Sequence, residues 1–103
     1  MTDMKNLSRL PELKRLAELA TNSFWKYDQA ALSDGTIPKK YKELMAIAVA
    51  LTTQCTYCIE VHRKAAVDAG ATEEEFAETV HVAAALRAGA AITHGTHLLS
   101  DPS

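Results

Sequence analysis

The chain has 103 residues, of which 48% are apolar and 6% aromatic, and this length suits one small domain over residues 1–103. Its formal net charge of −2 leaves no basic surface for nucleic acid and no basic amphipathic face for a membrane. No apolar run suits a signal peptide or reaches the roughly 20 residues that span a bilayer, so we expect a cytoplasmic protein.

The first predicted helix runs from Pro11, a favoured first helical residue, to about Tyr27. Its apolar side chains recur at helical spacing and predict one buried stripe. Trp25 lies beside this stripe, and we expect it to pack within the chain or against another subunit. The stripe consists of Leu13, Leu16, Ala17, Ala20, Phe24 and Tyr27.

The second predicted helix follows a turn at residues 33–36 and begins after Pro38, with the sequence KKYKELMAIAVALTT. Beyond its basic first turn the helix is apolar almost all round, which predicts burial on several sides. Glu43 is its only acidic residue. A carboxylate in such a helix is either a solvated neighbour of Lys39, Lys40 and Lys42 or a functional group.

Three further helices complete the predicted fold. One runs from about Cys55 to Ala69, with Gly70 as its C-cap, and the next begins at a capping box formed by Thr72 and Glu75. Gly89 interrupts that helix, so we expect a separate last helix over residues 90–99. No segment shows strand alternation. The sequence therefore predicts an all-α bundle, and its small size favours association with other copies of the chain.

The third helix carries the chemistry, in the pattern Cys55-x-x-Cys58-x-x-x-His62. At about 100° per residue, the three side chains fall within a sector of roughly 60° on one helix face. In a reducing compartment, paired cysteines are more often catalytic or metal-binding than structural. A thiol at a helix N-terminus is also easier to ionise, and a neighbouring histidine can accept its proton.

Glu43 can reach His62 only if the chain reverses between their helices. Thr52 and Thr53 weaken the helix at that point, because their hydroxyls compete for backbone hydrogen bonds. Antiparallel packing after such a reversal predicts contact between Glu43 and His62. A carboxylate there would orient the imidazole and raise its basicity.

These residues resemble the AhpD-like alkylhydroperoxidases of the carboxymuconolactone decarboxylase superfamily, over residues 36 to 90. The matching pattern is Glu43-x11-Cys55-x2-Cys58-x3-His62, followed by a run from Ala65 to Glu75. The resemblance implies an all-helical fold that assembles as a trimer or hexamer. It also implies that Cys58 attacks the peroxide and passes through a sulfenic acid, that Cys55 donates a proton and closes the disulfide, and that Glu43 and His62 form a proton relay.

The chain departs from the family in two respects. Tyr57 stands where the best-studied peroxidases carry a second histidine, and the chain is about half the length of the two-repeat members. The lactone decarboxylases of the superfamily lack the cysteine pair, which argues against decarboxylation.

The sequence thus predicts a thiol-dependent peroxidase or thiol–disulfide oxidoreductase with Cys58, Cys55, His62 and Glu43 as catalytic residues. It would need a hydroperoxide substrate and an external dithiol or thiol protein as reductant, but no metal or organic cofactor. Two alternatives stay open. One is a redox sensor, and the other is a zinc site in which Cys55, Cys58 and His62 gain a fourth ligand. The candidate fourth ligands are His81, His94 and His97.

Overall fold

A computed structural model describes residues 3–101, and among these it contains helices and turns but no strand, which confirms the predicted all-α class. A short 3-10 helix precedes the first α-helix, and another follows the last one. The two 3-10 helices span Met4–Arg9 and Thr96–Leu98, and the α-helices are α1 (Leu10–Leu16), α2 (Glu18–Leu32), α3 (Lys39–Thr53), α4 (Thr56–Asp68) and α5 (Glu73–Gly95).

Helix α3 lies at the centre of the fold, packed against both α4 and α5. The buried apolar side chains among the described residues are Ile47 and Ala50 of α3, Ala66 of α4 and Ala83 of α5. Three of these four are alanines, whose small side chains allow neighbouring helices to approach closely. Arg87 of α5 also donates a hydrogen bond to the backbone carbonyl of Thr52, which fastens α5 to the end of α3.

The chain reverses between α3 and α4 at Gln54, as predicted. Gln54 caps α3 in the left-handed conformation, with φ 58° and ψ 39°, which costs a residue with a side chain roughly 1–2 kcal/mol. The hydroxyls of Thr52 and Thr53 bond back to the carbonyls of Val49 and Ala50. Those bonds are the competition that the sequence suggested, and they end α3 where α4 can fold back along it.

Helix α5 begins as predicted but ends later. Thr72 and Glu75 form the capping box, each side chain bonding the other's backbone N–H. The predicted interruption at Gly89 and the separate helix over residues 90–99 are wrong, because α5 continues to Gly95. A glycine inside a helix costs only about 1 kcal/mol relative to alanine, and the alanines on both sides of Gly89 sustain the helix.

The amino-terminal part of the chain differs most from its prediction. The single helix from Pro11 to Tyr27 is instead two helices, α1 and α2, which separate at Ala17 with φ −143° and ψ 64°. Its predicted buried stripe is exposed: Leu16 has 66% of its surface in solvent. The spacing identified a helical face correctly, but no other helix within residues 3–101 covers that face.

The exposed surface is large for a protein of this size. The chain exposes 8152 Å², whereas a compact monomer of 11.2 kDa exposes about 5,700 Å². Its radius of gyration is 17.7 Å, against about 13 Å for a compact domain of this length. Met45 and Val49 of α3 are also exposed, so the predicted burial of α3 on several sides is not achieved within one chain. No helix among residues 3–101 is long and apolar enough to cross a membrane.

Candidate active site

Glu43 lies at the centre of the candidate site and is 1% exposed. Its two carboxylate oxygens have different partners: Oε2 lies 2.6 Å from Nδ1 of His62 on α4, and Oε1 lies 2.8 Å from Nζ of Lys39. The contact between Glu43 and His62, predicted from the chain reversal, is confirmed. A buried carboxylate needs such partners, because an unpaired charge out of water is strongly unfavourable.

The contact with Glu43 sets the state of the His62 ring. An ionised carboxylate can only accept hydrogen bonds, so Nδ1 of His62 carries the proton and donates it to Glu43. In a neutral ring, Nε2 then holds a free lone pair that can accept a proton. The His62 side chain is 18% exposed, so this nitrogen can face a reacting group instead of being sealed in the core.

The three lysines around Glu43 have three different partners. Lys40 pairs with Glu75 at 2.8 Å, and Lys42 donates to the carbonyl of Ser33 at 2.7 Å. Only Lys39 binds Glu43. The reading of Glu43 as a solvated neighbour of these lysines is therefore wrong. Sequence reasoning also missed Lys39 as a site residue, although an i,i+4 Lys–Glu pair is a recognisable signal.

Cys55 and Cys58 are free thiols at the start of α4. Cys55 is the N-cap, where its sulfur accepts a hydrogen bond from the Cys58 backbone N–H at 3.3 Å. The two Sγ atoms lie 2.6 Å apart. The hydrogen bond from the Cys58 thiol, followed by the one from its backbone, lowers the pKa of Cys55. The same thiol contact, followed by burial and the nearby charges of Cys55 and Asp28, raises the pKa of Cys58 to about 11.

The two thiols of the reduced pair therefore differ in acidity, and Cys55 loses its proton more readily than Cys58. Among the described residues, no hydrogen bond joins His62 to either sulfur. Cys58 and His62 are four residues apart on one helix face, where side chains are neighbours about 5–6 Å apart at Cβ. A single bridging water spans such a gap. The roles of the two cysteines in attack and resolution stay predictions.

A cavity of about 600 Å³ opens beside the Glu43–His62 pair. Trp25, Leu32 and Val61 form its apolar wall, and Asp28 and Asp34 bring negative charge to it. Asp28, which lines this cavity, also acts electrostatically on Cys58 and contributes to the raised pKa of that thiol. Trp25 was predicted only to pack, and Asp28 and Leu32 were not identified from the sequence, because the predicted first helix ended at Tyr27.

The structure also bears on the zinc alternative, on the histidines proposed as its fourth ligand, and on Tyr57. Within residues 3–101, no group of three or more His, Cys, Asp or Glu side chains is arranged to hold a metal ion, so the described chain does not assemble the zinc alternative. The rings of His94 and His97 lie 6.2 Å apart on the last turn of the helical region. The Tyr57 hydroxyl accepts a hydrogen bond from Asn6 at 3.2 Å, which ties the amino-terminal 3-10 helix to α4.

Comparisons with known proteins agree on one family. A family model described as "Carboxymuconolactone decarboxylase family" matches residues 18–101. The chain also resembles a solved structure of an apo carboxymuconolactone decarboxylase family protein from Legionella pneumophila. That similarity has a TM-score of 0.74 and 35% identity, and it covers 78% of this chain and 71% of the other.

Two curated relatives show the range of this similarity. "Uncharacterized protein 4 in cox locus" from Paracoccus denitrificans is 40% identical over 96 residues, covering 93% of this chain and 86% of the relative. Alkyl hydroperoxide reductase AhpD from Methylocella silvestris is 36% identical over 81 residues, covering 74% of this chain. The match spans 46% of that reductase, so this chain corresponds to about half of it.

Proposed function

The chain belongs to the carboxymuconolactone decarboxylase family, and on that premise we propose that it is a thiol-dependent peroxidase of the alkylhydroperoxidase kind. The observation that carries the proposal is the buried Glu43–His62 hydrogen bond, one helical turn from a cysteine pair in close contact. A nucleophile, a base and a group that orients the base are the elements of an activated thiol. The similarity to an alkyl hydroperoxide reductase supports the same reaction class.

In the proposed cycle, the Cys58 thiolate attacks the terminal oxygen of a hydroperoxide. The S–O bond forms as the O–O bond breaks, and the departing alkoxide takes a proton to leave as an alcohol. Cys58 is then a sulfenic acid. The Cys55 sulfur attacks it, water leaves with the sulfenic oxygen, and an internal disulfide forms. An external dithiol reduces that disulfide to two thiols and is itself oxidised.

The two thiols differ in pKa, and this difference assigns each sulfur to a different step of the proposed cycle. Cys58 must lose its proton before it attacks, and Nε2 of His62, reached through water, is the proposed acceptor. Once formed, a thiolate of higher pKa is intrinsically more nucleophilic, but little of it is present near neutral pH, so attack by Cys58 depends on this proton transfer to His62. A sulfur of lower pKa leaves a disulfide faster, which favours Cys55 as the group released when the reductant attacks Cys58.

We also propose that the active form is an assembly of identical chains, a trimer or hexamer. The support is the exposed surface, about 2,400 Å² more than a compact monomer of this mass would have. That excess is within the range of stable subunit interfaces. The uncovered apolar faces lie on α2, α3 and α5, where Leu19, Val49 and Leu86 are examples. Light scattering coupled to size-exclusion chromatography measures the molar mass directly.

Turnover tests the enzymatic proposal. Reduced protein would be mixed with cumene hydroperoxide and excess dithiothreitol, and loss of hydroperoxide would be followed over many equivalents. We expect repeated cycles with the natural chain and none with Cys58→Ser. A redox sensor would consume about one equivalent and stop. If hydroperoxide is not lost but the protein catalyses reduction of an added small disulfide by dithiothreitol, its reaction is thiol–disulfide exchange instead.

A further inference from the structure

Lys39 makes a contact that the proposed cycle does not yet use. Its ammonium lies 2.8 Å from Oε1 of Glu43, while His62 occupies Oε2 of the same carboxylate. It also lies 3.5 Å from the carbonyl of Leu32, the last residue of α2. Lys39 therefore joins the end of α2 to the buried carboxylate from the first turn of α3.

The charges around His62 explain why a permanent cation matters there. Glu43 is buried beneath the ring, and Asp28 and Asp34 line the cavity that the ring borders. All three carboxylates favour an imidazole that carries two protons. A doubly protonated ring has no lone pair at Nε2, so it cannot accept the proton of a thiol. Lys39 is the cationic side chain of this cavity.

The position of Lys39 in its helix supports a specific function. A cation in the first turn of a helix opposes the helix dipole, which favours negative charge at that end. The side chain is nevertheless directed to Glu43, while 43% of it remains in contact with solvent. The ammonium group of Lys39 therefore contacts the buried carboxylate while it stays partly hydrated.

We propose that Lys39 is a positioning residue for the relay: its charge neutralises the Glu43 carboxylate and so leaves His62 a neutral base. The contacts show how this works. Lys39 holds Oε1, the carboxylate cannot rotate away, and Oε2 remains directed at Nδ1 of His62. This inference rests on the proposed proton-accepting role of His62, but its effect on the ring can be measured without peroxide.

Three substitutions and one control separate charge from packing. Lys39→Met removes the charge and the hydrogen-bond donor, Lys39→Gln removes the charge but keeps a shorter N–H donor, and Lys39→Arg retains both charge and donor. The control is Lys42→Met. Lys42 bonds the carbonyl of Ser33, next to Leu32, so its loss removes a similar lysine–backbone contact without touching Glu43. Circular dichroism would establish that each variant folds. If Lys39→Met does not fold, Lys39→Gln still tests the loss of charge.

The first readout is the ¹⁵N spectrum of His62 at neutral pH in the full-length reduced protein. We expect a neutral ring protonated at Nδ1 in the natural chain, Lys39→Arg and Lys42→Met, and a doubly protonated ring in Lys39→Met and Lys39→Gln. The second readout is the pH dependence of cumene hydroperoxide reduction. Its acid limb should move to higher pH by about one unit in the same two variants.

The outcomes distinguish this inference from the proposed function. If the ring changes as expected but no variant reduces peroxide, Lys39 controls His62 and the peroxidase assignment fails. If peroxide is reduced and neither the ring nor the acid limb responds to Lys39→Gln, the inference about Lys39 is overturned. An equal response to Lys42→Met would also overturn it, because the effect would then come from the α2–α3 connection.

Discussion

The two halves of this chain bury their apolar residues to very different extents. Helices α4 and α5 both pack on α3, and hydrogen bonds to α3 from these two helices fix Glu43, His62 and the end of α3. Helices α1 and α2 are regular but leave their apolar face in solvent, with Leu19 at 83% exposure. Helical spacing specifies a face, whereas burial requires a second surface to cover it. The Glu43–His62 pair and the two thiols lie on α3 and at the start and middle of α4, whereas α2 supplies one wall of the cavity beside them.

The largest effect that we expect comes from Glu43→Gln. The amide retains the shape of the side chain but loses the charge that Lys39 and His62 share, so activity should fall by about tenfold or more. Stability should fall by about 1–3 kcal/mol, because buried hydrogen-bonding groups lose partners. Peroxide turnover and urea unfolding measure the two effects.

Glu75→Gln is the matched control for Glu43→Gln, since Glu75 is also paired with a lysine but lies at the surface of α5. It should leave turnover unchanged and cost at most about 1 kcal/mol. Equal losses in both variants would show that the buried site is no more sensitive than a surface ion pair.

Two substitutions, Ile47→Ala and Leu19→Asp, compare the packed half of the molecule with the exposed helices α1 and α2. Ile47 is 6% exposed in the centre of the fold, so truncation should lower the free energy of unfolding by about 2–4 kcal/mol. Leu19→Asp should leave the helical content unchanged but reduce the molar mass, because it places charge on a face that we assign to another subunit. A full-size assembly with Leu19→Asp would place the interface elsewhere.

The cysteine pair gives a prediction about pH. Since the pKa of Cys55 is lowered and that of Cys58 is raised to about 11, iodoacetamide near neutral pH should label Cys55 before Cys58. Asp28→Asn removes a negative charge that acts on Cys58, so the thiolate absorbance of Cys58 should appear at lower pH. Glu60→Gln, an exposed change on the same helix, should not shift it. Preferential labelling of Cys58 in the natural chain would contradict this order of the two thiol pKa values.

The smallest effects concern two glycines in the packed half. Gly70 has φ 97°, so Gly70→Ala should destabilise the fold by about 1 kcal/mol. Gly89 lies within α5, where an added Cβ meets nothing within 4 Å, so Gly89→Ala should stabilise the chain by up to about 1 kcal/mol. Urea unfolding at equal protein concentration measures both. A destabilising Gly89→Ala would mean that another subunit contacts α5 at this point.

The sequence predicted those features that local chemistry decides. The capping box at Thr72, the start of α3 after Pro38 and the reversal near Thr52 all follow from nearest neighbours, and the contact between Glu43 and His62 follows from the reversal. The break at Ala17 and the continuous helix through Gly89 could not be predicted in this way, because neither residue decides by itself whether a helix continues. The exposure of the apolar face of α1 and α2 could not be predicted for another reason: helical spacing does not identify the surface that covers a face.

The most direct test of the proposed reaction is to identify which sulfur the peroxide oxidises first. Reduced, metal-free protein would be treated with cumene hydroperoxide and its cysteines followed by mass spectrometry, alongside Cys55→Ser and Cys58→Ser. We expect an internal disulfide in the natural chain and a sulfenic acid trapped on Cys58 in the Cys55→Ser variant. A sulfenic acid formed on Cys55 in Cys58→Ser, with no oxidation of Cys55→Ser, would reverse the two roles. Oxidation no faster than that of free cysteine would contradict the peroxidase assignment.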